Sequence, residues 1–144
     1  MTKILASPRN AAMNLLSRRE HSRAELERKL RSRFLAEELA PALDRLADEQ
    51  LQSDERFALS FTRERMRRGY GPLRISVELQ QRGVDSALVN AAIDVVPVEE
   101  GISWRSVAAQ AEAKKFGSGQ AADIHEKARR ARFLRYRGFS CDLD

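Results

Sequence analysis

A chain of 144 residues is long enough to bury one sizeable core, but with 33% charged and only 6% aromatic residues that core has to be aliphatic and thin. No alternating Val/Ile/Thr run suggests a sheet and no apolar run nears the length of a spanning helix. The single Cys141 excludes an intramolecular disulfide, and Met1–Arg9 lacks the apolar stretch of a signal peptide, so a cytoplasmic protein is expected. The net charge of +5 and pI near 9.9 point to a polyanionic partner, either nucleic acid or an acidic protein surface.

In chain order, Met1–Pro8 reads as a loose lead-in, and Ala12, Leu15 and Leu16 predict a short helix over about Asn10–Arg19. Ser22-Arg23-Ala24-Glu25 is a capping box that starts a second helix, with Leu26, Leu30 and Phe34 as its buried stripe. A third helix carries Leu39, Leu43 and Leu46. If it began near Ala36, Pro41 would fall after its first turn, which predicts either a late start near Ala40 or a bend.

The middle of the chain has both helix ends written into it. Ser53 can cap the first orphan amides, Asp54 and Glu55 suit the positive end of the dipole, and Arg65, Arg67 and Arg68 suit the negative end. Gly69 stops this helix and Pro72 opens the next, which carries Leu73, Ile75, Val77 and Leu79 and is closed by Gly83. Asp85 then caps a helix with Leu88, Val89, Ala92, Ile93 and Val96 on its apolar face, expected to end at Pro97. Trp104, Val107, Ala108 and Ala111 open another helix that reaches about Lys115. After a break at Phe116-Gly117-Ser118-Gly119, a last long helix is predicted over about Gln120–Arg137, ending at Gly138.

The order helix, basic helix, apolar-faced helix repeats. Leu30-x-x-Arg33-Phe34-Leu35, Leu79-x-x-Arg82-Gly83-Val84 and Leu134-x-x-Arg137-Gly138-Phe139 fall at the same place in successive units, at offsets of 49 and 55 residues. The expected fold is all-α: three tandem three-helix units over residues 1–52, 53–97 and 98–144, forming an elongated, curved array. The third unit is incomplete, since Phe139–Asp144 supplies the cap and start of a last helix and then stops. Phe133 and Leu134 are therefore expected to lack a cover, and this unit to be the least stable.

No constellation of catalytic residues is present. His21 and His125 lie far apart, Cys141 is near the end, and neither metal-ligand spacing, a phosphate-binding loop nor a nucleophile elbow occurs. No enzyme, metal or cofactor is expected. Phe57 and Phe61, spaced i, i+4, suit packing. Tyr70 suits either packing under its own turn or presentation to a partner. The basic residues cluster: Arg63, Arg65, Arg67, Arg68, Arg74 and Arg82 surround the central corner, and Lys127, Arg129, Arg130, Arg132, Arg135 and Arg137 crowd the last helix. Such a surface could follow a phosphate backbone, with steep salt dependence, or lie in the groove of an acidic protein assembly and gain from many weak contacts.

Asp54, Phe57, Ala58, Phe61, Arg65, Gly69-Tyr70-Gly71-Pro72, Ile75 and Leu79, in that spacing, resemble the central signature of the RecX family, bacterial regulators of the RecA recombinase. The likeness runs from about Ala12 to Leu143. It implies a non-catalytic inhibitor, built of three repeats of a three-helix unit, that lies along the groove of the RecA nucleoprotein filament and blocks its extension or promotes its disassembly. By that likeness it would restrain strand exchange, ATP hydrolysis and the coprotease activity that triggers the SOS response, and so act in DNA repair and homologous recombination. Two features depart from the family pattern: the missing final helix, and Phe34 where the other units have glycine.

The expected contact residues, towards the RecA filament or towards single- or double-stranded DNA, are Arg65, Arg68, Tyr70, Arg74, Arg82, Arg129, Arg130, Arg132 and Arg135. A monomer without membrane contact is expected. The alternative reading is a stand-alone DNA-binding protein in which the helix pair around Gly69–Pro72 acts like a helix-turn-helix.

Overall fold

A computed structural model describes residues 7–140; residues 1–6 of the expected lead-in, and the part of the expected last-helix start beyond Ser140, with Cys141, lie outside the described residues. The described chain is all-helical: α1 (Pro8–Leu16), α2 (Arg23–Leu30), α3 (Ala36–Asp48), α4 (Asp54–Arg67), α5 (Pro72–Gln81), α6 (Ser86–Glu100), α7 (Trp104–Phe116) and α8 (Ile124–Arg137).

Local chemistry sets most of these ends. The Ser22 hydroxyl accepts from the Glu25 amide at 3.1 Å while a Glu25 carboxylate oxygen accepts from the Ser22 amide at 3.1 Å, completing the capping box. Ser53 caps α4 through the Arg56 amide and Asp85 caps α6 through the Ala87 amide. At the end of α4, Gly69 takes φ +87° and lets the Tyr70 amide bond back to the Arg65 carbonyl at 3.1 Å.

Four helices differ from expectation at one end or both. The first helix begins at Pro8, behind a Ser7 cap, and stops at Leu16. Beyond it, Arg19 turns to the Glu25 carboxylate. The last helix begins at Ile124, not Gln120, because Asp123 caps it through the Glu126 amide at 2.9 Å.

The third helix starts at Ala36, without the late start, and carries Pro41 inside it. Leu39, Leu43 and Leu46 are all buried on one face, and Pro41 and Glu37 lie on the exposed one, so the carbonyl deprived of its amide faces water.

The fourth difference is at Pro97, which does not end its helix: α6 runs through it to Glu100 and closes at Gly101, φ +66°. Proline at 97 removes the amide that would bond to the Ile93 carbonyl, and the Trp104 indole N–H donates to that carbonyl at 3.2 Å instead. A side chain from the next helix thus satisfies the group that the proline orphans.

Three successive cores line the array. The first joins Ala11, Ala12, Leu26, Leu30, Leu39, Leu43 and Leu46. The second centres on Phe57, Ile75, Leu79 and Val89, and the third joins Met66 and Val96 to Val107, Ala108 and Phe139. The third core is thus shared between neighbouring units. Leu134 packs against it, and Phe133 meets Phe116 edge-on at 5.4 Å between centroids, so both residues are half-buried.

The units meet through a joint that repeats. The Ser22 hydroxyl donates to the Arg82 carbonyl at 2.7 Å, and the Gly71 amide donates to the Arg137 carbonyl at 2.7 Å. Ser22 and Gly71 are each the N-cap of their unit's second helix, and Arg82 and Arg137 each close the second helix of the following unit. Arg28 reaches the Gln81 carbonyl and Arg74 the Tyr136 carbonyl, both at 3.3 Å; the two carbonyls are repeat-equivalent, while the arginines that reach them stand at different places in their helices. The C-terminus of α5 therefore abuts the N-terminus of α2, and that of α8 abuts α5, so opposite ends of helix dipoles face one another.

Glycine is required at both joints: a Cβ on Gly83 would run into the Ala24 methyl, and one on Gly138 would lie 2.5 Å from the Arg74 Cβ. Asp54 adds a further tie at the first joint, accepting from the Arg23 amide at 2.8 Å and from the Gln52 side chain at 2.9 Å.

Candidate interaction surface

The corner between α4 and α5 presents Tyr70, and three guanidinium groups surround its ring. Arg65 lies 3.9 Å, Arg74 4.5 Å and Arg137 4.7 Å from the ring centre. Arg65 is clamped by the Glu78 carboxylate through two bonds of 2.9 and 2.8 Å, and Arg74 approaches the same carboxylate at 3.6 Å. Three cations thus gather around one ring with one shared acid. The π face holds them and the carboxylate offsets only part of their charge.

Arg82 lies 4.6 Å above the Phe61 ring, donates to the Glu78 carbonyl at 3.1 Å and comes within 3.7 Å of Glu25 in the first unit. Arg68 is different, with 64% of its side chain exposed and only an i, i+4 partner, Glu64. Such a surface pair contributes little and leaves the guanidinium available.

On α8 the expected residues divide. Arg129, Arg132 and Arg135 are exposed; Arg129 skirts Glu126 at 4.0 Å and lies 5.5 Å from the Phe116 ring centre. Arg130 is not a surface group: 8% of its side chain is exposed, and it binds Glu112 and Glu126 at 3.1 Å each and the Gly119 carbonyl at 2.8 Å. The repeat explains this. At the offsets that align the units, Arg130 occupies the place of Leu26 and Ile75, both fully buried. The third unit fills that apolar position with a cation held by two carboxylates. The Ala122 amide, together with Arg130, holds the Glu126 carboxyl below the usual carboxylate range.

The structure therefore brings together Arg65, Tyr70, Arg74 and Arg82 around Glu78, with Arg68 at the edge of the cluster, and sets Arg129, Arg132 and Arg135 out along α8. Sequence reasoning left Arg137 out of the expected contacts, although it stands at the repeat position of Arg82. It stacks on Tyr70, lies 5.1 Å from the Phe133 ring centre and donates to the Arg68 carbonyl at 3.1 Å.

Buried polar groups near the first joint also have partners. The His21 ring lies 3.0 Å from the Arg19 carbonyl and 3.1 Å from the Lys29 ammonium, which fixes the proton on Nδ1 and leaves Nε2 to accept. Burial pushes its pKa below the ordinary histidine value; the Arg19 carbonyl opposes this, and the Arg19 and Lys29 charges reinforce it. Burial alone would raise the Glu25 carboxyl, but Arg19 and the Ser22 amide together hold it below its ordinary value.

Among the described residues, no cluster of three or more His, Cys, Asp or Glu is placed to hold a metal ion, and no helix is long and apolar enough to cross a membrane.

The chain is similar to known proteins over most of its length. The sequence models for the first and second three-helix domains of RecX match residues 9–46 and 53–93. The chain is 48% identical over 140 residues to a regulatory protein RecX of Pseudomonas fluorescens, covering 96% of this chain and 88% of that protein. It is 44% identical over 147 residues to one of Pseudomonas syringae pv. tomato, covering 99% and 92% respectively. Among solved structures, RecX from Lactobacillus salivarius superposes with a TM-score of 0.71 at 28% identity, covering 94% of this chain and 88% of that one. A second RecX crystal structure, at 20% identity and a TM-score of 0.76, covers 92% of this chain and 66% of its own and supports the fold alone.

Proposed function

The chain belongs to the RecX family, and on that premise we propose that it is a non-catalytic regulator that binds the RecA nucleoprotein filament along its groove. In this reading it inhibits filament extension and, with it, recombinase, ATPase and coprotease activity, in the cytoplasm and within DNA repair and the SOS response.

The observation that carries the reading is the exposed series of arginines on successive units, Arg68 at the central corner and Arg129, Arg132 and Arg135 along α8, mounted on a body whose units are joined in a fixed register. An elongated, rigidly jointed body with basic groups on more than one unit suits a polymer, because several weak contacts to neighbouring subunits add up. Arg65, Tyr70, Arg74 and Arg82 form the platform that holds this charge, and they touch the partner at its edge.

The test is a strand-exchange or ATPase assay of RecA filaments titrated with substoichiometric protein. Loss of activity well below one copy per RecA subunit is expected. Reversing Arg129, Arg132 and Arg135 together to Glu should weaken inhibition with helicity unchanged. Undiminished inhibition by that variant would remove α8 from the contact. Tight binding to duplex DNA with no effect on filaments would favour the helix-turn-helix reading instead.

A further inference from the structure

A groove of about 450 Å³ opens between the end of α4, the second half of α7 and the last turns of α8. Its floor is apolar: Met66, Val107, Ala111 and Phe133. Its rim carries Arg67, Arg68, Lys114, Lys115 and Arg137, and none of its lining residues is acidic. Arg67 and Arg68 have carboxylate partners outside the groove, Glu100 and Glu64. The excess charge therefore comes from Arg137 and from the two exposed lysines, which no carboxylate pairs among the described residues.

We propose that this groove takes an acidic segment of a partner protein, with one bulky apolar side chain seated on the floor and flanking carboxylates on Lys114, Lys115 and Arg137. The inference rests on reading the chain as a regulator that works by touching a protein, and it names the chemistry of one such contact.

Two features favour an acidic peptide over a nucleic-acid strand. A strand is gripped by cations along its backbone and by open aromatic faces on which bases stack. Here the ring of Phe133 is already engaged, with Arg137 5.1 Å from its centre and Phe116 edge-on to it. The floor is a cup between helices, not a platform. An apolar side chain gains from entering such a cup, and the cationic rim selects acidic neighbours for it.

The test uses the full chain and three fluorescein-labelled probes followed by anisotropy. One is an acidic heptapeptide with Leu-Phe at its centre, the second the same peptide with Ala-Ala there, and the third a short oligothymidine. Saturable binding of the first peptide is expected, weaker by about tenfold for the second. Lys114→Glu with Lys115→Glu should abolish it. Ala111→Leu, which fills the floor and keeps every charge, should weaken it by about tenfold while circular dichroism stays unchanged.

The proposal is overturned if the Leu-Phe peptide does not bind, if Ala111→Leu binds it as well as the parent chain does, or if the lysine reversals abolish oligothymidine binding and leave the peptide untouched. Filament inhibition is measured alongside. Inhibition that persists without peptide binding rejects the groove and leaves the regulator reading standing, whereas peptide binding without inhibition does the reverse.

Discussion

Arg137 of the third unit holds its guanidinium 4.7 Å from the ring centre of Tyr70 in the second, while its main-chain carbonyl takes the amide of Gly71 next to that ring. One residue thus fixes the joint twice, once by side chain and once by backbone. Tyr70 is the surface on which that side chain rests, so the tyrosine belongs to the architecture of the array as much as to its exterior.

Tyr70→Ala removes the mount for three guanidinium groups and should cost about 2 kcal/mol, below the full cost of an aromatic truncation because the ring is only half-buried. Tyr70→Phe keeps the π face and should stay within about 0.5 kcal/mol of the parent. Urea denaturation followed by circular dichroism measures both. Equal losses from the two changes would mean that the hydroxyl, not the ring, holds the corner.

The bond from Trp104 to the Ile93 carbonyl gives a double-mutant cycle. Trp104→Phe leaves that carbonyl unsatisfied and should cost about 1–3 kcal/mol. Pro97→Ala returns a main-chain amide to the same carbonyl, so the tryptophan change should be milder in that background, with a coupling of about 1 kcal/mol. Additive losses would show that the indole bond does not compensate for the proline.

Alanine at Gly138 or Gly83 meets both a left-handed backbone and a crowded joint, with φ +102° and +78° respectively. Gly101, at φ +66°, has nothing within 4 Å of its would-be Cβ. Gly101→Ala should cost about 1 kcal/mol of backbone strain, and either joint change distinctly more. Thermal melts of the three variants compare them directly. If they match, the glycines serve the turns and not the approach of neighbouring units.

Acid should weaken the first joint in two steps. His21, held neutral below its ordinary pKa of 6.5, takes up a proton more readily when unfolded, so stability falls as pH drops through 6.5 and levels off below the folded-state value. Glu25, held below its ordinary value of 4.5, contributes stability that is present above 4.5 and is lost as pH falls through its folded-state pKa. The melting temperature measured from pH 8 to 3 should show both steps; His21→Gln should remove the upper one and leave the lower, which Arg19 and the Ser22 amide chiefly set, largely in place.

Much of this was legible because helix ends are local chemistry. Ser22 with Glu25, Ser53, Gly69 and Asp85 act within a few residues of themselves, and each ended or began a helix where its type dictates. The two prolines were harder. Pro41 is accommodated because its face is solvent, and Pro97 because a tryptophan from another helix reaches the orphaned carbonyl; neither compensation is visible in a local window. Arg130 misled for a similar reason: within a run of basic residues it looks like surface, and only its repeat register with Ile75 reveals the buried position. The same register puts Arg137 at the place of Arg82, a signal left unused in the expected contacts, and its side chain stacks on Tyr70 across the joint.

Phe34 stands where Gly83 and Gly138 stand in the later units, and those two glycines are what let one helix end come to rest on the next. A phenylalanine there cannot make that approach. The end of α2 therefore lacks the bare main chain by which the ends of α5 and α8 come up to Ala24 and Arg74, so the contact that strings the units together is not offered a third time.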